Sequence, residues 1–379
     1  MISFKNVNIY KENKAIVKAN LTIDKGYFKS FTASKNAKTL NNKYIIVPGF
    51  IEEHIHGANA SDSMYPNDKD IANIARSLTQ DGVTSFLPTT MTCKKGDIIK
   101  ALKNITNHKR GTNEAKILGI HLEGPFINKA YKGAQDEKFI LKPNIKDLHD
   151  FLLASKNNIR LITIAPELAN EAFLKKLKKH HITVSVGHSN AKAMEVEKFL
   201  PYLDSITHTY NAQSKFHHRD IGVVGEALLQ EKLYAELILD FEHVSKNAAK
   251  LLLKNKGKEK LILITDSMEA RYKKNGTYKL GTFPVYVKNK RAVLKDGTLA
   301  GSILELSKAL KNAKSIFNLK THELVDLVSK NVKNNLKLDK VGSIKIGNYA
   351  DFVIIDKDFN VYQTYVNGQC VYTKKGFRF

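Results

Sequence analysis

The stretch RLITIAPELANEAFLKKLKKHHITVSVGHSNAKAMEVEKFLPYLDSITH, residues 160–208, decides the fold. It opens on a short apolar run at 160–164 (RLITI) and continues at 169–179 with a helical pattern. A second run follows at 182–186 (ITVSV), a second helical segment at 190–199, and a third run at 204–207 (DSIT). Strand-length apolar runs alternating with helix-length segments are the pattern of βαβ units in a parallel sheet.

The unit repeats in both directions. Upstream, apolar runs fall at 45–51, 83–87 (VTSFL) and 117–122 (ILGIHL); downstream, at 233–239 (LYAELIL) and 260–264 (KLILI). Helical patterns fill most of the gaps. Ile71, Ile74, Ala75 and Leu78 share one helical face, as do Ile98, Leu102 and Ile105. Segments 145–156 and 245–254 behave similarly, and 302–316 follows the last strand. Eight strands alternating with helices predict an α/β chain closed as a (β/α)₈ TIM barrel.

The ends of the chain read differently. Residues 1–44 alternate in polarity without a helix, and 341–379 do the same, with an Asn367-Gly368 hairpin signal. Two β-rich ends bracketing a barrel predict one small β-sandwich domain built from 1–47 and 341–379, around a barrel over 48–340. A further β-like stretch, 272–299, has turn signals at Asn275-Gly276 and Asp296-Gly297 and is expected to form a hairpin insertion after the eighth strand.

Composition narrows the function class. There are 61 Lys and Arg against 37 Asp and Glu, a formal charge of +24, but only seven of the cations are arginine. The lysines are scattered, as in KKLKKHH (175–181), not gathered into a basic stripe with aromatics. That is a solvated surface rather than a nucleic-acid footprint. No apolar run approaches the roughly 18 residues of a membrane span. MISFKNVNIYKENK, at the start, lacks the apolar stretch of a signal peptide. Cys93 and Cys370 lie far apart and suggest neither a disulfide framework nor a thiolate metal site. The expectation is a cytoplasmic enzyme with its native start.

Barrel chemistry gathers just past the carboxyl ends of the strands. The first strand runs into Glu53-His54-Ile55-His56, where alternate residues let both imidazoles face the axis. The third ends at His121-Leu122-Glu123, the fifth at Gly187-His188, the sixth at Thr207-His208. The seventh leads to Asp240 and His243, and the eighth ends at Thr265-Asp266. A single His-X-His pair would be unremarkable, and His180, His181, His217 and His218 are read as structural or solvent-facing. The recurrence of His, Glu or Asp at one relative place on strand after strand points to a metal site. Imidazole with carboxylate suits zinc or iron, and a metal there brings the pKa of bound water to about 7.

The blocks PGFIEEHIHG (48–57), HLEGPFIN (121–128), VGHSNA (186–191), THTYNA (207–212), HRDIGVVG (218–225), LITDSMEA (263–270) and LAGS (299–302) resemble N-acetylglucosamine-6-phosphate deacetylases, of the metal-dependent amidohydrolase superfamily. The resemblance implies hydrolysis of the acetamide of N-acetylglucosamine 6-phosphate to glucosamine 6-phosphate and acetate. It implies that Glu123, His188 and His208 bind the common metal, with His54 and His56 available for a second and Glu123 able to bridge. Asp266 matches the catalytic aspartate, a base toward the attacking water and then an acid toward the departing amine. Phosphate recognition falls to Arg219 and His243, with Asn211 and Ala212. Arg219 is expected to reach the neighbouring subunit of a homodimer. Ala134 and Ala300-Gly301-Ser302 match sugar-contacting positions.

The chain also departs from the family pattern. Gln135 stands where many members have His, so a sugar or carbonyl contact is expected to differ. Phe241 and Glu242 are bulkier and more acidic than usual beside His243, and Ile221 replaces a Pro. These departures leave open another N-acetylated amino sugar, such as N-acetylgalactosamine 6-phosphate or an unphosphorylated one. A sugar-phosphate-binding protein without catalysis is the alternative of another class.

Overall fold

The computed structural model describes residues 1–11 and 15–378. Eight parallel strands form the barrel: Phe50–Ile55, Val83–Thr90, Ile120–Glu123, Ile159–Ile164, Thr183–Val186, Ser205–Ile206, Tyr234–Ile238 and Leu261–Ile264, each paired with the next. The eighth returns to the first through a narrower seam. Near the carboxyl ends, Asp266 donates its N–H to His54 O and His56 to Ser267 O, both at 2.9 Å. Toward the amino ends, the Leu327–Val328 backbone fills the gap, accepting from Leu263 and Ile51. The barrel is therefore nearly closed, with its seam beside the two strand ends that carry His54, His56 and Asp266.

The helices pack as their apolar spacing predicts. Helix Asp68–Leu78 buries Ile71, Ile74, Ala75 and Leu78, and helix Lys95–Asn107 buries Ile98, Ala101, Leu102 and Ile105. Asn67, Asn144, Asn170 and Ser245 each accept a backbone N–H from the first turn of their helix. Such caps satisfy donors that a helix leaves orphaned, for about 1 kcal/mol apiece.

Both chain ends enter one seven-stranded sheet, in the order Gln369–Thr373, Val361–Val366, Phe352–Asp356, Tyr44–Pro48, Ile2–Tyr10, Ile16–Asp24, Tyr27–Ser30. The sheet curls over its own core, so that Phe28 on the edge strand lies 6.1 Å from Phe352, ring centre to ring centre. Asn367 and Gly368 form the two-residue turn that their identity predicts, with φ 49° and 72°. Among the described residues no helix is long and apolar enough to cross a membrane.

Several expected elements change shape. The 45–51 run divides at Gly49, with Tyr44–Pro48 in the curled sheet and Phe50–Ile55 in the barrel. A Cβ on Gly49 would stand 2.1 Å from Thr84 Oγ1, so the crossing is open only to glycine. The 117–122 run splits at Gly119, leaving Lys116–Ile117 as a short partner of the second strand. The insertion is three-stranded (Gly276–Leu280, Phe283–Lys288, Arg291–Val293), and Asn275-Gly276 starts a strand instead of turning one. The polar run before Asn275 offers no strand to pair. Helix Gly222–Leu229 has no counterpart in the periodicity because Gly222 to Ala227 are all buried, which erases the amphipathic signal.

Candidate active site

His188, His208 and Asp266 each sit two residues beyond the end of a barrel strand, and each has a left-handed backbone, with φ 48°, 30° and 47°. A non-glycine residue in that region costs about 1–3 kcal/mol and persists where its surroundings over-determine it. The same step recurs after the fifth, sixth and eighth strands, and each side chain ends at the barrel mouth. On the first strand, register shifts between Glu52 and Ile55. This irregularity encloses Glu53, which meets Asn335, as well as His54, which meets Glu236.

Two triads face each other there: His54, His56 and Asp266, and Glu123, His188 and His208. Within each, the candidate ligand atoms lie within 4.8 Å of one another, and all six residues are buried but Asp266, whose side chain is 13% exposed toward the cavity. Asp266 Oδ1 stands 3.5 Å from His54 Nε2 and 3.2 Å from His56 Nε2. Glu123 Oε1 stands 3.2 Å from His188 Nε2 and 3.3 Å from His208 Nε2. Glu123 also joins the triads, with Oε2 at 3.2 Å from His56 Nε2 and Oε1 at 3.4 Å from His54 Nε2.

This arrangement fits divalent cations. His188 and His208 point Nε2 atoms at each other across 3.1 Å, and His54 Nε2 is buried with no hydrogen-bond partner. Buried polar atoms are rarely left so. Without a cation the charges lean on one another. Burial opposes ionisation of Asp266, yet the His54 and His56 imidazoles bring its pKa down to about 2. Burial likewise opposes charge on His56, but Asp266 and Glu123 raise it to about 9.

The ligand-like nitrogens are held from behind. His54 Nδ1 meets Glu236 Oε2 at 3.0 Å, and His56 Nδ1 meets Thr89 O at 3.2 Å. His188 Nδ1 meets Tyr131 O at 2.9 Å. Glu236 Oε2 also accepts the His208 N–H at 3.0 Å, tying both triads to the seventh strand. Sequence reading missed Glu236; its only signal is a lone carboxylate inside the apolar run LYAELIL. His121 is instead structural. Its Nε2 joins a chain of hydroxyls, Thr163, Thr207 and Ser185, that fills the barrel beneath the site, and burial holds its pKa well below the usual imidazole range.

Above the triads opens a cavity of about 400 Å³. Ala134, Asn211, Ala212, His243 and Gly301 line it together with His56, Glu123, His188, His208 and Asp266. Gly301 has φ 64° and passes so close that a Cβ would meet Asp266 O at 3.1 Å. Ala300 and Ser302 do not line it. Ala300 is fully buried, and Ser302 Oγ donates to Thr265 O at 2.5 Å, bracing the Gly301 turn. Gln135 lines the cavity, but its amide is engaged: it donates to Glu123 Oε2 and accepts from Thr92 N, both at 2.7 Å. Arg219 lies outside, in an exposed patch with Lys192, Met194 and His218. Arg291 of the insertion, unforeseen from sequence, lines the cavity instead.

A parallel barrel with buried imidazole and carboxylate triads at its carboxyl rim defines a hydrolase of the metal-dependent barrel class. Residues 45–371 match the Amidohydrolase family, and the chain belongs to it. It is 33% identical to N-acetylglucosamine-6-phosphate deacetylase of Bacillus subtilis (strain 168), covering 98% of this chain and 97% of that protein. It is 32% identical to N-acetylgalactosamine-6-phosphate deacetylase of Escherichia coli O157:H7, covering 86% of this chain and 87% of that one. The crystal structure of N-acetylglucosamine-6-phosphate deacetylase from Thermotoga maritima superposes with a TM-score of 0.89 at 33% identity, over 98% of this chain and 100% of that one. The chain is a hydrolytic enzyme of amino-sugar deacetylase type.

Proposed function

We propose that the enzyme hydrolyses the acetamide of N-acetylglucosamine 6-phosphate to glucosamine 6-phosphate and acetate. The observation that carries this reading is the placement of Asp266. It stands between two imidazoles at the floor of a cavity of about 400 Å³, in a chain aligned over 98% of its length with a deacetylase.

Glu123, His188 and His208 would hold one divalent metal, zinc or iron, and His54 and His56 a second, with Glu123 between them. A metal held there would supply acidification of the attacking water and polarisation of the acetyl carbonyl. Asp266 takes the proton of that water as its oxygen bonds to the carbonyl carbon. It then returns the proton to the amide nitrogen as the C–N bond breaks, so acetate and the free amine leave together. Asn211, the Ala212 backbone and His243 orient the sugar phosphate, and Ala134 and Gly301 shape the wall against the ring.

Arg219, exposed and away from its own cavity, is assigned to the phosphate of a neighbouring subunit in a homodimer. The two free thiols, Cys93 and Cys370, fit a cytoplasmic enzyme. The test is acetate and amine release from N-acetylglucosamine 6-phosphate by metal-replete protein; sugar binding without acetate release would favour a non-catalytic binder. N-acetylgalactosamine 6-phosphate is the second substrate to assay, since one relative is named for it and Phe241 and Glu242 alter the surroundings of His243.

A further inference from the structure

The insertion after the eighth strand brings to the cavity a cation that no barrel loop supplies. Arg291 opens its third strand, Arg291–Val293, and lines the cavity wall along with His243. Its Nε lies 3.5 Å from Glu242 Oε2. His243 is already paired, with its Nδ1 at 2.7 Å from Asp240 Oδ2. Two carboxylates thus stand behind this end of the cavity, Asp240 on His243 and Glu242 on Arg291. An anion placed there meets repulsion unless a further cation offsets them.

Arg291 is placed to do so. A guanidinium has five N–H donors in a fixed fork. The nitrogen of Arg291 that approaches Glu242 is Nε, and the side chain is 54% exposed, so protein does not close off the far edge of the guanidinium. A fork held by a carboxylate on one edge and open on the other suits two parallel bonds to a phosphate.

We propose that Arg291 is a phosphate-recognition residue supplied by the same subunit, with Glu242 holding its guanidinium beside His243. The inference rests on the proposed deacetylase function. It also gives the unusual acidic residue Glu242 a role, as the anchor of the cation that neutralises it.

The test compares kcat/KM for N-acetylglucosamine 6-phosphate with that for N-acetylglucosamine in the wild type, R291A and R291K, all metal-replete. Inorganic phosphate serves as a competitive probe. R291A is expected to lower the preference for the phosphorylated sugar about tenfold or more, chiefly through KM, and to raise the Ki of phosphate in parallel. R291K, which keeps the charge but not the fork, recovers part of each. An R291A enzyme with wild-type preference and wild-type phosphate Ki overturns the proposal. A wild type that turns over both sugars alike, or neither, overturns the phosphate reading itself, a failure visible before any substitution is made.

Discussion

Gln135 donates its side-chain amide to Glu123 Oε2 at 2.7 Å while accepting the Thr92 N–H at the same distance. Glu123 belongs to one triad and stands within 3.4 Å of both imidazoles of the other, so the carboxylate that links the two is oriented by a side chain expected to face the sugar. Outer partners of this kind typically change metal affinity 10–100-fold. Q135A should weaken metal binding by about that factor, read by competition with a chromophoric chelator. Unchanged affinity together with a raised KM would return Gln135 to the role of a sugar contact.

Asp266 is the substitution aimed at the chemistry. D266N keeps the size of the side chain but removes the base, and kcat should fall by about 10²–10⁴. The Glu123, His188 and His208 triad remains, so elemental analysis should still find at least one metal per subunit. A D266N enzyme that retains wild-type kcat excludes Asp266 as the proton carrier.

Metal removal should act on stability as well as on turnover. The two triads hold carboxylates and imidazoles in positions that only a cation fully satisfies. Chelation should abolish acetate release and lower Tm, and zinc or iron should restore both. At a free metal concentration 100 times Kd the stabilisation is about 2.7 kcal/mol. Activity that survives exhaustive chelation would rule out a metal-dependent step.

Arg219 offers a test of subunit exchange. If it serves the neighbouring site, R219A and D266N are each impaired alone, yet a mixed dimer contains one site with Asp266 from one subunit and Arg219 from the other. Mixing the two variants after subunit exchange should regain up to about a quarter of wild-type activity, the statistical yield of such sites. No recovery, with dimers verified by light scattering, would confine Arg219 to its own subunit or to the surface.

Lys256 carries a pH prediction away from the site. It is buried and donates to Gln230 O and Leu233 O at 2.6 and 3.0 Å, and burial lowers its pKa to about 8 from the ordinary 10.5. Below pH 8 the folded and unfolded states both hold the proton, and the cost of burying the charge is fully present. Between about pH 8 and 10.5 only the unfolded chain retains it, so stability from this residue rises with pH. The gain is up to about 3 kcal/mol at about 1.4 kcal/mol per pH unit. Urea unfolding of wild type and K256M at pH 8 and pH 10 isolates it; parallel pH trends would show that Lys256 does not titrate in this window.

The eight strands, the faces of the first two helices and the rim positions of His54, His56, Glu123, His188, His208 and Asp266 were legible in the amino-acid order. All of them follow from local periodicity, since a strand or helix exposes its spacing in every turn, and a barrel sends whatever follows a strand to one rim. The triads themselves, and the partners that brace them, belong to the tertiary structure. Glu236 lies in a strand that reads as apolar, and only closure of the barrel brings it against His54. Gln135 is turned toward Glu123 by a loop that periodicity does not describe. Arg291 reaches the cavity because a three-stranded insertion folds back over the rim. Sequence spacing encodes which face a residue takes within its own element. The distance between residues on different elements depends on packing and loop paths, and there the three-dimensional structure decided the site.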